Sequence, residues 1–171
     1  MDITIKRALP SECGALTEIS FAAKQYWQYP REYYTIWREQ LTITGRYISN
    51  NLVYCAVCDG VIAGYFAIVN VTEDFDSGRV HIHKGHWLEH IFIRPSFMYK
   101  GLGTQLMAYA DQLCRERGIP CLYIFSDPYA KGFYDRLGAD YIGESPSGIE
   151  GHTMLMYRYD IVPQTMEQQV D

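Results

Sequence analysis

The chain has 171 residues, 48% of them apolar and 15% aromatic, with a formal net charge of -5. That length suits one domain, and so apolar a composition excludes a disordered chain. There is no basic stripe for nucleic acid, no apolar run of the ~18 residues a membrane helix needs, and no signal-peptide core in Met1–Arg7, so a cytoplasmic protein without nucleic-acid or membrane partners is expected.

Ile3 to Ala8 alternates apolar and polar residues, as a half-buried strand does. Pro10-Ser11-Glu12 opens a helix with Leu16, Ile19 and Ala23 on its apolar face. Tyr26 to Pro30 interrupts the pattern, and a second helix follows with Tyr33, Tyr34, Trp37 and Leu41 at helical spacing. Leu52–Val57 and Val61–Val69 form a hairpin about Asp59-Gly60, which tolerate the positive φ of a tight turn. Asn70 to Gly78 is polar and acidic and reads as a loop, with a short strand near Val80–His83 after it. Trp87–Ile93 is a strand ended by Arg94-Pro95. The next helix carries Leu102, Leu106, Met107, Ala110, Leu113 and Cys114 on one face, and Gly118 stops it. Cys121–Phe125 is almost wholly apolar, as a strand covered on both faces is. A short helix over Ala130–Leu137 ends at Gly138, and Tyr141-Ile142 and Thr153–Tyr159 are the last two strands. The unit from Trp87 to Phe125 is expected to be a right-handed parallel crossover.

The informative stretch runs from Ile91 to Thr104, where a strand ends, a turn follows and a helix begins at Gly101-Leu102-Gly103. The first amides of a helix lack partners, and the helix dipole gives them partial positive charge. A phosphate binds such a terminus, and glycine lets it approach the backbone. Lys100 adds a full charge nearby. The same two glycines also suffice merely to shape a tight turn. The stretch is neither a Walker loop nor a dinucleotide fingerprint.

This turn resembles the pyrophosphate motif of the GNAT acetyltransferase superfamily, Gln/Arg-x-x-Gly-x-Gly/Ala. Leu88–Pro95 resembles that family's fourth strand and its exit, and Phe133–Ala139 resembles its Phe-Tyr-x-x-x-Gly-Phe segment. The resemblance implies a single α/β domain over residues 1–162, with a mixed, mostly antiparallel seven-stranded sheet and about four helices. Residues 163–171 form a polar tail. Two parallel strands splay, and acetyl-CoA lies between them, contacted by Ile91, Phe92 and Ile93 and by Met98, Tyr99, Lys100, Gly101, Leu102, Gly103 and Thr104. Met98 departs from the family's Gln or Arg, which removes a side-chain contact to phosphate. Tyr129 stands near the place of an Asn that touches the pantetheine arm in the family.

The implied reaction is acetyl transfer from acetyl-CoA to a primary amine on a small molecule or peptide, by direct attack on the thioester. A fixed N–H near Phe92 stabilises the carbonyl oxygen, and no metal takes part. Glu89 is the first candidate base and His90 the reserve, since a histidine titrates near neutrality. Tyr134 takes the place of the family's acid tyrosine. Tyr26, Trp27 and Tyr29 fall in the linker that walls the family's acceptor site, where aromatic faces suit a cationic amine. GNAT proteins often pair as homodimers.

Two other readings come from other features. Four histidines, His81, His83, His86 and His90, are the basis of a metal-binding alternative. A non-catalytic acyl-CoA-binding module is the other, given weight by Met98. Cys55-Ala56-Val57-Cys58 has metal-like spacing but no second pair, and lies in a strand; packing explains it. The five cysteines, odd in number and scattered, do not make a disulfide framework.

Overall fold

The structure is a computed structural model that describes residues 2–163. Along the chain it has β1 (Ile3–Arg7), α1 (Cys13–Tyr26), α2 (Arg31–Leu41), α3 (Gly45–Asn50), β2 (Leu52–Cys58), β3 (Val61–Val71) and β4 (Phe75–Ser77). There follow β5 (Val80–Ile82), β6 (Gly85–Ile93), α4 (Leu102–Arg117), β7 (Cys121–Ser126), α5 (Lys131–Arg136), β8 (Asp140–Pro146) and β9 (Thr153–Asp160). Seven strands form one sheet in the order β1-β2-β3-β6-β7-β9-β8, and β4 pairs with β5 in a separate ribbon. Every neighbouring pair is antiparallel except β6 and β7. The mixed seven-stranded sheet expected from the sequence is therefore present.

The near-continuous apolar runs of β2 and β3 have a simple cause: both sheet faces are covered. Val53, Cys55, Tyr65 and Ala67 pack with Leu16 and Ile19 of α1 and Ile48 of α3. Tyr54, Ala56, Phe66 and Ile68, one residue out of phase, pack with Leu102, Leu106, Met107 and Ala110 of α4. Strand alternation sends successive side chains to opposite faces. It also separates Cys55 and Cys58, which join different apolar clusters. Burial raises both thiol pKa values, as packing residues require.

Three features differ from the sequence expectation. Helix α3 falls in a stretch assigned no element; it is only six residues long, capped by the Thr44 hydroxyl accepting from the Tyr47 amide. Such a helix is too short for periodicity to reveal. The expected loop at Asn70–Gly78 instead holds the end of β3 and all of β4. Their polar residues belong to a ribbon with one face in solvent. The first helix begins at Cys13, after a 3-10 turn over Pro10–Glu12. Of the expected polar tail, all but Pro163 lies outside the described residues.

Candidate active site

β6 and β7 are parallel, and Trp87 opposite Tyr123 is their single paired position. Beyond it β6 continues along β3 to Ile93, whereas β7 follows β9 to Ser126. The sheet is thus split between two central strands. Ile91, Phe92 and Ile93 border the split and are only half-buried, although they sit mid-sheet.

After β6 the chain makes a 3-10 turn over Pro95–Phe97 and reaches α4. Tyr99 and Gly101 both have positive φ, 61° and 80°. Such values cost a non-glycine residue about 1–2 kcal/mol. A Cβ placed on Gly101 would meet nothing within 4 Å, so its backbone faces open space. The first α4 amide to close within the helix is Gln105, onto the Gly101 carbonyl at 3.1 Å. Ahead of it lie the amides of Leu102, Gly103 and Thr104, without intrahelical partners. Gly103 plays another part: a Cβ there would come within 3.1 Å of the Phe133 ring. One glycine therefore frees backbone and the other admits α5. Met98 is half-buried in an extended conformation, and the Lys100 ammonium lies 5.7 Å from the Phe97 ring centre. These residues fit a diphosphate as a ligand: an anion meets unpaired N–H groups, an open backbone and a lysine.

Glu89 owes its position to a bulge. Ala67 pairs with His90 and Ile68 with Leu88, so Glu89 has no partner on β3. An extra residue breaks the alternation of faces. It explains why the Glu89 side chain is 43% exposed between Leu88 and His90, which are 2% and 7% exposed. Glu89 Oε1 lies 3.5 Å from His90 Nε2. The His90 ring packs against Tyr47, Tyr65 and Phe92. The Tyr47 hydroxyl is buried without a hydrogen-bond partner among the described residues. Burial and then the Glu89 charge raise the Tyr47 pKa, so Tyr47 faces Glu89 with its proton in place.

Tyr134 lies in α5 and is 5% exposed, packed on Phe133 and Tyr157. Burial, with the Asp127 charge behind it, raises its pKa, so it keeps its proton at neutral pH. Tyr157 in turn donates to Asp135 at 2.8 Å.

The linker between α1 and α2 touches both lips of the split. The Tyr26 hydroxyl lies 3.4 Å from that of Tyr99, and Trp27 stacks on Tyr129 with ring centres 4.8 Å apart. Behind this bridge is a polar knot that sequence reading missed. Asp127 accepts from the Tyr29 hydroxyl at 2.7 Å, the Lys24 ammonium at 3.1 Å and the Tyr129 amide at 3.0 Å. Burial pushes the Asp127 pKa up, but Lys24, Tyr29 and the amide outweigh it and hold the carboxyl below the usual aspartate value. The Lys24 ammonium sits 4.5 Å over the Trp37 ring. His152, from the β8–β9 loop, packs on Tyr29, Tyr33 and Trp37, and burial lowers its pKa. Tyr29 is thus part of an aromatic and carboxylate box that already holds an ammonium, that of Lys24. Nothing in the sequence links positions 24, 29, 37, 127 and 152.

The described residues include no helix long and apolar enough to cross a membrane. No curated protein matches the chain in sequence. Solved structures do resemble it. The PaiA N-acetyltransferase of Thermoplasma acidophilum, in complex with coenzyme A, is 16% identical, with a TM-score of 0.67 over 94% of this chain and 99% of that one. The ribosomal-protein-S18-alanine N-acetyltransferase of Escherichia coli is 17% identical, with a TM-score of 0.66 over 99% of this chain and 100% of that one. YncA, a putative acetyltransferase of Salmonella typhimurium with acetyl-CoA, is 17% identical, with a TM-score of 0.62 over 96% of this chain and 97% of that one. At this identity they speak for the fold. The profile of the Acetyltransferase (GNAT) family matches residues 15–139, so the chain belongs to that family.

Proposed function

We propose that the chain transfers an acetyl group from acetyl-CoA to a primary amine on a small molecule or peptide. The observation that carries this is the split between β6 and β7 with the unpartnered amides of α4 at its mouth. Acetyl-CoA supplies the activated acetyl group, and the α4 amides, with Lys100, hold its diphosphate. The free edge of β6 over Ile91–Ile93 pairs with an extended pantetheine arm as a neighbouring strand would. A β6 backbone N–H near Phe92 donates to the thioester oxygen as charge grows there.

Glu89 accepts the proton that the attacking amine must lose, directly or through one water. Two facts support it: the bulge exposes Glu89, and His90 abuts it. The amine nitrogen bonds to the acetyl carbon, the carbon–sulfur bond breaks, and Tyr134 gives the sulfur its proton. Tyr134 holds its proton at neutral pH and so has one to give, although burial makes it a weaker acid than a free tyrosine. Tyr26 and Trp27 wall the acceptor's approach with Tyr99 and Tyr129, and Tyr29 and Asp127 hold that wall in place.

The test is release of free CoA thiol from acetyl-CoA across a panel of primary amines, with Glu89→Gln and Tyr134→Phe beside the wild type. Amine-dependent thiol release that drops in both variants is expected. Binding of acetyl-CoA without transfer to any amine would favour a non-catalytic acyl-CoA-binding module instead.

A further inference from the structure

The β4–β5 ribbon stands outside the main sheet and carries a concentration of metal-ligating side chains. Its register pairs Phe75 with Ile82, Asp76 with His81 and Ser77 with Val80. Alternate residues of a strand share a face, and residues opposite each other in the ladder share it too. Continuing the register by one step sets Asp74 opposite His83. Asp74, Asp76, His81 and His83 therefore fall on one face, all exposed, while Val80 on the other is buried.

We propose that this face binds a divalent transition-metal ion of the zinc class through Asp74, His81 and His83. One donor atom from each of the three lies within 4.8 Å of the others. Asp74 Oδ2 and His81 Nε2 are 3.6 Å apart. A tetrahedral ion with ligands at about 2.0–2.1 Å sets neighbouring donors about 3.3–3.4 Å apart, so this edge needs only a small contraction. The outer contacts are those of a ligand set. Asp76 Oδ1 bonds His81 Nδ1 at 2.7 Å, which fixes the ring and leaves Nε2 for the ion. The other Asp74 oxygen accepts from the Lys84 amide at 2.6 Å, which leaves Oδ2 turned to His81. The Trp87 indole donates to the His83 carbonyl at 2.8 Å and ties that end of the ribbon to β6. Two carboxylates and two neutral imidazoles sum to the charge that one divalent ion balances.

An ion pair of protonated His81 with its two carboxylates accounts for His81 alone; the His83 ring sits edge-on 4.7 Å from it and 6.1 Å from the Tyr123 ring. The metal account uses both. The imidazole and carboxylate donors suit zinc, nickel or copper, and calcium or magnesium poorly. Three protein ligands leave a fourth position open to solvent. A two-stranded ribbon is marginal alone, and the ion closes it from Asp74 to His83. Of the four histidines noted in the sequence, the fold gathers two and leaves His86 and His90 on β6.

Zinc chloride titrated by calorimetry into the tag-free full chain, in metal-stripped buffer, tests this. The expected result is one zinc per chain with a Kd at or below about 10 μM. His81→Ala and His83→Ala each weaken it at least about tenfold, Asp76→Asn about tenfold, and His86→Ala leaves it unchanged. Imidazole resonances in the wild-type chain read the same ligands without substitution: those of His81 and His83 shift with zinc, and those of His86, His90 and His152 do not. Binding weaker than about 1 mM, or equal binding by the His81→Ala/His83→Ala double variant, overturns the proposal. Acetyl transfer is not the readout, so this result stands apart from the reading of the split sheet.

Discussion

The two sides of the split sheet are built differently. The side proposed for the cofactor is backbone: three amides at the head of α4, a glycine at φ 80° with open space beside it, and the free edge of β6. The side proposed for the acceptor is side chain: Lys24 of α1, Tyr29 of the linker, Trp37 of α2 and His152 of the β8–β9 loop converge on or around Asp127. A backbone site survives the loss of a side chain such as the family's Gln or Arg at position 98, because its donors are not side-chain atoms. A side-chain site has no such tolerance, and one substitution at its centre leaves several groups unpaired.

That contrast can be broken most forcefully at Asp127. The Lys24 and Asp127 side chains are only 17% and 12% exposed. Asp127→Ala leaves a buried ammonium and a buried hydroxyl without their acceptor, and about 3 kcal/mol of stability is expected to go, read as a fall in Tm of roughly 10 °C. The pH dependence sharpens the point. The folded-state pKa of Asp127 is depressed, so its contribution is present above the unfolded value and lost as pH falls through the folded one. The Tm gap between wild type and Asp127→Asn should hold steady from pH 8 to 5 and close below about pH 4.

Glu89→Gln comes next and acts on rate alone. The residue is an exposed bulge, so Tm should stay within a degree or so while kcat falls about a hundredfold. A variant with unchanged kcat would remove Glu89 as base. Tyr134→Phe should lower kcat about tenfold to a hundredfold and leave CoA affinity intact, since the role proposed for its hydroxyl is at sulfur and not at phosphate. The smallest effect is expected at Gly101. Gly101→Ala meets no neighbour and should cost about 1 kcal/mol through its positive φ, with CoA affinity weakened severalfold while the amides keep their place.

The same contrast explains what the sequence discloses. Backbone sites need glycines, strand ends and helix starts at fixed offsets, and these can be read in Ile91–Thr104. The two-faced burial of β2 and β3 shows in their unbroken apolar runs, and Gly118 stops α4 as expected, with φ 69°. Side-chain convergence has no such signature. In the sequence Asp127 and Lys24 belong to no motif, and Trp37 is one of several residues at helical spacing. The bulge at Glu89 hid because Leu88, Ile91 and Ile93 keep the strand apolar on either side. Helix α3, which supplies Tyr47, is only six residues long and leaves no apolar period to read.

The central claim is that main-chain donors at the head of α4 hold the diphosphate of CoA. Calorimetric titration of the full chain with CoA and with pantetheine, which shares the arm and lacks the diphosphate, addresses it directly. One CoA per chain with a Kd at or below about 100 μM, and pantetheine at least about a hundredfold weaker, is the predicted result. Equal affinity for the two, or no heat with CoA at millimolar concentration, would contradict it.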